Sequence, residues 1–580
     1  MKRLTCTELS RIRGWVGGRW AASGLALLIA VGAAVRLAPI GANRFHEDEA
    51  LYSFWALQIA TGRDPILNYS PVDKPPLFIY ALALCFKLFG PSEVAARLPS
   101  ELSSVASIAL LYYLASRLYG RSVAMVAAVL MALSPFNILF APTAFTDPLV
   151  VAWVLAALCL AVKGRLGWSG LMLGLAVATK QQGLLFVPLA IVIGARRLTL
   201  SPLPLRSPVP RHPRTSAPPL PGPSAPLRLR TPALLREGLF LALGFLAVMA
   251  PIAWWDSLRW QLQPNYFEQS LISYGGLAFV DPARLLERLG DWAEILNYIT
   301  ASPFLNILLL GGLPCLLLYD LGWRRGEPAT FFDIALSAFV ILFLLGHWVL
   351  SFNIWDRYLL GLVPILLILL ARVIWLASGA LAQLLSPQRP PLRRCPSTSP
   401  WSSGTCPGPF VLGPKDQGRQ VQGPRTEGSG HRSGQALRVF AVITLLTAAL
   451  AGPALEAARS RYPIGGDHGA YDGIEAVADY FRDYVPAGSI LYHHWLGWHY
   501  SFYMFDFPLV LRWYPSPEEL TEDARQVDNS QRYIVFPSGK LTAGVRDAFS
   551  EAGLTLRCVY WAYRRDGSIS FIVYQIEDQK

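Results

Sequence analysis

The sequence predicts an all-α polytopic membrane protein of about eleven transmembrane helices, followed by a small C-terminal α/β soluble domain. Three observations carry this. Only 16% of the 580 residues are charged while 53% are hydrophobic, whereas soluble proteins average about 25% charged. Apolar runs long enough to span a bilayer recur between residues 21 and 453. Residues 459–580 then change in kind, with 16 acidic and 12 basic residues and no membrane-length run.

The excess of basic residues, +12, does not call for a nucleic-acid partner, because basic residues of membrane proteins collect in cytoplasmic loops. The seven cysteines form no CxxC or ligand spacing, so neither a disulfide framework nor a zinc site is indicated. The absence of a Walker-type glycine loop argues against a nucleotide-driven pump.

Residues 1–20 place Lys2, Arg3, Arg11, Arg13 and Arg19 ahead of the apolar run Ala21–Ile40. That pattern reads as an anchor with a cytoplasmic N-terminus, and makes 41–101 the first external loop. A membrane core over 21–195 continues through runs at 102–118, 122–141, 148–163 and an interrupted 168–195. A second membrane part, 237–385, holds runs at 238–255, 303–321, 331–351 and 357–378. The last helix lies in 438–458. Residues 75–90 are apolar but short, as re-entrant or interfacial segments are. If they do not cross, Arg117, Arg121, Lys163, Arg165, Arg324 and Arg325 all face the cytoplasm. The run 168–195 then becomes two half-length passes broken at Lys180–Gly183, and 459–580 is external. The Pro-rich basic stretches 196–236 and 386–437 lack the apolar content to fold and read as disordered cytoplasmic loops.

Within 459–580, helices are expected at Ile474–Tyr484 and Thr542–Ala552. Strands are expected at Ser489–His493 and Gln531–Pro537, with a hairpin of Leu554–Ala562 and Ser568–Gln575. His493, His494 and His499 lie among aromatics. Packed or surface histidines and a metal or sugar contact both stay open, although no ligand spacing is present.

The chemistry concentrates at span boundaries. The first external loop opens Arg44-Phe45-His46-Glu47-Asp48-Glu49. Such a cluster is either solvated, the start of a helix over Ala50–Thr61, or functional. Lys74, Arg97, Asp147, Lys180 and Arg357 follow at other apolar borders. Singly, each reads equally as a structural ion pair or a snorkelling anchor. Together with Asp48, all fall at the outer face of the expected topology. A cavity of that kind suits transfer from a lipid-linked phosphate donor: a carboxylate takes a proton from an acceptor hydroxyl, and cations stabilise the phosphate leaving group. Asp48 with Asp147 could instead hold Mg²⁺ or Mn²⁺, and a salt bridge to a lysine or arginine is an equal alternative. Competing readings are a secondary transporter, against which no internal repeat is found, and a membrane sensor with an external ligand-binding domain.

Five segments occur in order: Asp48-Glu49-Ala50-Leu51-Tyr52, Lys74-Pro75-Pro76-Leu77, Ala96-Arg97-Leu98-Pro99-Ser100, Leu133-Ser134-Pro135 with Thr146-Asp147-Pro148, and Thr179-Lys180-Gln181. The ordered set resembles the membrane glycosyltransferases of the protein O-mannosyltransferase and aminoarabinose lipid A transferase superfamily, over about residues 20–195. Arg357-Tyr358 and Val363-Pro364 extend it less specifically. The resemblance implies a GT-C fold and an inverting transfer, without covalent sugar–enzyme intermediate, from a polyprenyl-phosphate sugar to a glycan, lipid or protein hydroxyl. It implies Asp48 as general base, Glu49 as its partner and Asp147 as a second acid. It implies Lys74, Arg97, Lys180 and Arg357 around the donor phosphate. The two long loops and the C-terminal domain depart from the protein O-mannosyltransferase pattern, which puts a protein acceptor in doubt. A bacterial plasma membrane is the expected location.

Overall fold

The computed structural model describes residues 6–200, 231–260, 262–274, 278–324, 327–385, 427–527 and 530–579. The membrane part runs α1 (Cys6–Leu37), α2 (Glu47–Thr61), α3 (Leu77–Phe89), α4 (Glu93–Tyr119), α5 (Arg121–Leu133), α6 (Pro135–Phe140), α7 (Asp147–Val162) and α8 (Leu166–Thr179). It continues with α9 (Val187–Leu200), α10 (Thr231–Ser257), α11 (Tyr266–Tyr274), α12 (Leu285–Asn297), α13 (Pro303–Trp323), α14 (Pro328–Val349), α15 (Val363–Leu385) and α16 (Glu427–Ala458). Among the described residues, six helices are long and apolar enough to cross a bilayer: α4, α10, α13, α14, α15 and α16. The other apolar stretches are shorter, α1 contributing Ala22–Leu37 and α3 having 13 residues. The protein is a multi-pass helical membrane protein, as its composition predicts.

Two expected spans are broken. The run 122–141 divides at Ser134, because Pro135 has no N–H to continue α5 and starts α6 instead. The break is pinned from outside: the Ser134 hydroxyl donates to the Ile299 carbonyl at 2.6 Å, and the Phe136 N–H to that of Tyr298 at 3.1 Å. The run 168–195 breaks where its lysine predicts. Lys180 is extended (φ −159°, ψ 138°), a 3₁₀ turn covers Gln181–Phe186, and α9 follows. The turn folds so tightly on α8 that a Cβ at Gly183 would lie 2.7 Å from the Ala176 carbonyl carbon. Helices α9, α10 and α16 extend into the two Pro-rich stretches, and the remainder of those stretches, 201–230 and 386–426, lies outside the described residues.

The C-terminal domain contains α17 (Ile474–Tyr484), β1 (Ile490–His493), α18 (Gly497–Tyr503), β2 (Val510–Trp513), α19 (Pro517–Arg525), β3 (Arg532–Pro537), α20 (Ala543–Glu551), β4 (Leu554–Tyr563) and β5 (Ile569–Asp578). The sheet order is β2-β1-β3-β5-β4. β1 is parallel to β2 and β3, and β5 is antiparallel to β3 and β4. Alternate strand residues feed two cores: Leu491, Tyr533 and Val573 join Val477 and Phe481 on one face, and Ile490, Tyr492 and Ile534 join Phe549 on the other. The sequence reading misses β2, α18 and α19. β2 is a four-residue edge strand, too short for a period-two pattern. α19 does carry a legible start, since Ser516 accepts from the Glu519 N–H and Pro517 occupies the first turn.

The domain rests on the segment that opens α2. The Tyr471 hydroxyl donates to Glu47 at 2.8 Å, His499 Nε2 lies 2.9 Å from the Phe45 carbonyl, and Asn43 donates to Ser460 at 3.0 Å. Asp356 accepts the Gly465 N–H at 2.9 Å.

Candidate active site

Glu47, Asp48 and Glu49 form the first turn of α2, where the helix dipole favours carboxylates. His46 caps the helix: its Nδ1 accepts from the Asp48 N–H, and its own N–H donates to Glu49 Oε2 at 2.9 Å. Consecutive helical residues point about 100° apart, so the three acids meet three environments. Glu47 turns to Tyr471. Glu49 is fully buried, with Oε1 accepting from the Ala144 N–H at 2.6 Å and from Arg97 Nε at 3.3 Å. Asp48 stays 26% exposed and pairs through Oδ2 with Arg357.

Two further pairs adjoin this one. Lys74 sits 2.5 Å from Asp73 and donates to the Tyr274 hydroxyl at 2.6 Å, which itself donates to Asp73 at 2.6 Å. Lys180 sits 2.6 Å from Asp147, the first residue of α7, and 4.7 Å from the Tyr358 ring. Gln181 donates to the Asp73 carbonyl at 2.9 Å, tying the break after α8 to the Lys74 loop. Arg357 lies over the rings of Trp355 and Phe145, at 4.5 and 5.0 Å. The pairs act on one another, Arg357 on Asp147 as well as Asp48, and Lys74 on Asp48. Burial pushes the Asp48 carboxyl up, but Arg357, with His46 and Lys74, outweighs it and holds Asp48 below the usual carboxylate value. Burial draws the Lys74 ammonium down, against the pull of Asp73.

The structure thus brings together Asp48, Lys74, Asp147, Lys180 and Arg357. Arg97 and Glu49 belong to a different construction. Arg97 is 1% exposed, and its guanidinium donates to the carbonyls of Ile40, Asn43 and Arg44 at 2.8–2.9 Å besides Glu49. That pair fastens the start of the first loop to α4. Asp73 and Tyr274 join the cluster without having been singled out in the sequence. Asp73 is adjacent to Lys74, while Tyr274 is one of 23 tyrosines and only the fold marks it.

Asp48 faces Arg357 and Asp147 faces Lys180, and no group of three potential metal ligands occurs among the described residues. His499 is buried against the Phe45 carbonyl with its ring 4.2 Å from that of Tyr471, a packed histidine of the domain interface.

Residues 73–206 match the family model of the dolichyl-phosphate-mannose-protein mannosyltransferases. The fold is similar to that of ArnT. The crystal structure of ArnT from Cupriavidus metallidurans in the apo state superposes with a TM-score of 0.59 over 97% of this chain and 98% of that one, at 15% identity. The same protein bound to undecaprenyl phosphate gives 0.56 with the same coverage. In sequence, a Bacillus subtilis (strain 168) protein, YycA, whose name carries a provisional mannosyltransferase assignment, is 32% identical over 133 residues. That match covers 22% of this chain, which spans only about a fifth (19%) of the relative's length. The resemblance expected from the ordered motifs is borne out, and so is the GT-C architecture. The matched segment contains Lys74, Arg97, Asp147 and Lys180; Asp48 and Arg357 lie outside it and meet Lys74, Asp147 and Lys180 in the fold.

Proposed function

We propose that this protein is a membrane glycosyltransferase that moves a sugar from a polyprenyl-phosphate donor to a hydroxyl of a glycan, lipid or protein acceptor, with inversion. The observation that carries the reading is a partly exposed carboxylate, Asp48, set among the cations Arg357, Lys74 and Lys180. Asp48 takes the acceptor's proton through Oδ1 as the acceptor oxygen bonds to the anomeric carbon. The bond from that carbon to the phosphate oxygen breaks, and its electron pair leaves with the phosphate. Each cation is already countered by one carboxylate, yet each keeps N–H groups to give, since an ammonium has three and a guanidinium five. Lys180 spends one on Asp147, and Lys74 spends two, on Asp73 and Tyr274. Charge developing on the leaving phosphate is stabilised by the remainder. Asp147 orients Lys180, and the Glu49–Arg97 pair holds the Asp48 turn in place. The family match over 73–206 and the ArnT fold support this reading. The site and the C-terminal domain lie, on this proposal, at the outer face of a bacterial plasma membrane.

Asp48→Asn keeps the size of the side chain and removes the basic oxygen. Single-turnover transfer from a polyprenyl-phosphate sugar should fall by about 10²–10⁴-fold, with donor binding retained. Wild-type turnover in Asp48→Asn would refute the assignment. A larger loss in Asp147→Asn would move the base to Asp147.

A further inference from the structure

A second feature lies away from the Asp48 cluster. Helices α13 and α15 leave between them a groove of about 900 Å³, walled by Ile307, Gly311, Cys315, Val373, Leu376 and Ala380. The groove is open at Gly311, where a Cβ would meet no atom within 4 Å. Three arginines also line it: Arg324, Arg372 and Arg438. Arg438, from α16, lies flat on Trp375, 3.5 Å from the ring centroid, and gives Nη2 to the Trp375 carbonyl at 2.9 Å. Arg372 gives Nε to Asp333 at 3.3 Å, and Arg324 pairs with Glu327. Yet Arg372 Nη2, Arg438 Nε and Arg324 Nη1 are buried without a hydrogen-bond partner among the described residues.

Unpaired guanidinium N–H groups beside an apolar groove are costly. Arg438 lines the groove and pairs with no carboxylate among the described residues; a phosphate there counters its charge with charge-assisted hydrogen bonds, and the groove accepts a hydrocarbon chain. Gly379 and Gln383, at one end of the groove, lie about 24 and 30 Å along α15 from Val363 at 1.5 Å per residue. Val363 follows closely on Arg357, so this end is on the far side of a hydrocarbon core roughly 30 Å thick. A polyprenyl phosphate seated here would have its phosphate far from Asp48. We propose that the groove holds an anionic phospholipid of the leaflet opposite the Asp48 cluster, its phosphate taken by Arg438 at the Gly379 end and one acyl chain lying between α13 and α15.

The test uses the full chain, purified in detergent and supplied with phosphatidylglycerol or phosphatidylcholine, with retained lipid counted by native mass spectrometry. Wild type should retain phosphatidylglycerol in preference to phosphatidylcholine. Arg438→Gln should lower that retention about tenfold or more, the loss of one charged hydrogen bond. Gly311→Phe, whose Cβ would meet no atom within 4 Å, places a ring in the groove, should do the same, and covers the case in which Arg438→Gln fails to fold. Equal retention of phosphatidylglycerol by wild type and Gly311→Phe overturns the proposal. So does equal retention of the two lipids, displacement of phosphatidylglycerol by undecaprenyl phosphate, or a lipid-free protein in which crosslinking places residues 386–426 in the groove.

Discussion

Asp48 shows how a single position acquires a property its residue type does not have. Its carboxyl is pushed up by burial and pulled down further by Arg357. A general base works only when deprotonated, so lowering its proton affinity keeps it active further into acid. The same shift stabilises the fold above the ordinary carboxylate value, and that contribution is lost as the pH falls through the lowered one. Arg357→Gln leaves burial opposed only by His46 and Lys74. The acid limb of the kcat/KM profile should then move to higher pH by about 1–3 units, the usual effect of one close opposite charge, and stability at neutral pH should fall. An acid limb that does not move in Arg357→Gln would remove Arg357 as the group that tunes Asp48. The neighbouring Glu49, one residue on, faces the buried Arg97 instead. That divergence follows from helical geometry and from what packs on each side, which the tripeptide Glu47-Asp48-Glu49 does not contain.

Among the elements, α8 matters most, because it ends at Lys180. It packs against α10 with almost no side-chain thickness between them. A Cβ at Gly170 would lie 1.9 Å from the Leu241 carbonyl oxygen, and one at Gly244 would lie 2.0 Å from that of Gly167. Backbone cannot yield as a side chain can, so Gly170→Ala must part the helices and carry Lys180 with them. A loss of about 1–3 kcal/mol is expected for such overpacking, read as a lower melting temperature together with reduced transfer. Gly238→Ala, where nothing lies within 4 Å, is the control and should be neutral or slightly stabilising. A Gly170→Ala protein with wild-type stability would show that the two helices are not in this contact. The breaks at Ser134 and Lys180 differ in legibility for a physical reason. A lysine inside an apolar run is expensive in any surroundings, whereas the break at Ser134 is completed by residues 298 and 299.

For the molecule as a whole, the C-terminal domain and the first loop form one unit. His499 is central to that contact, and burial draws its imidazole down to about 4 from an ordinary 6.5. The folded state therefore holds the neutral ring. Its contribution is complete above pH 6.5 and is lost as the pH falls toward 4. His493, likewise drawn down to about 4 by burial and His494, acts in the same direction. The melting temperature should fall across that interval, and His499→Gln should flatten the fall. An unchanged slope in the variant would exclude His499 as its source. Sidedness is tested separately. Asp566→Cys, in the exposed turn between β4 and β5, should react with an impermeant maleimide added outside cells, while a cysteine placed at 205–225 should not. The reverse result would invert the proposed topology.

The sequence by itself determined that this chain is a multi-pass membrane protein with a mixed C-terminal domain. It also marked which ionisable residues sit at span boundaries. Both depend on transfer free energies of individual residues and on local periodicity, which a linear chain displays. It also displayed the ordered motifs that the match over 73–206 supports. The tertiary structure alone decided which charges meet. Asp48 pairs with Arg357 across 309 positions of chain, Tyr274 closes on Lys74, and Arg97 turns inward to Glu49. A charge in a low-dielectric setting takes whichever partner packing brings within a few ångströms, and that distance exists only after the helices have assembled.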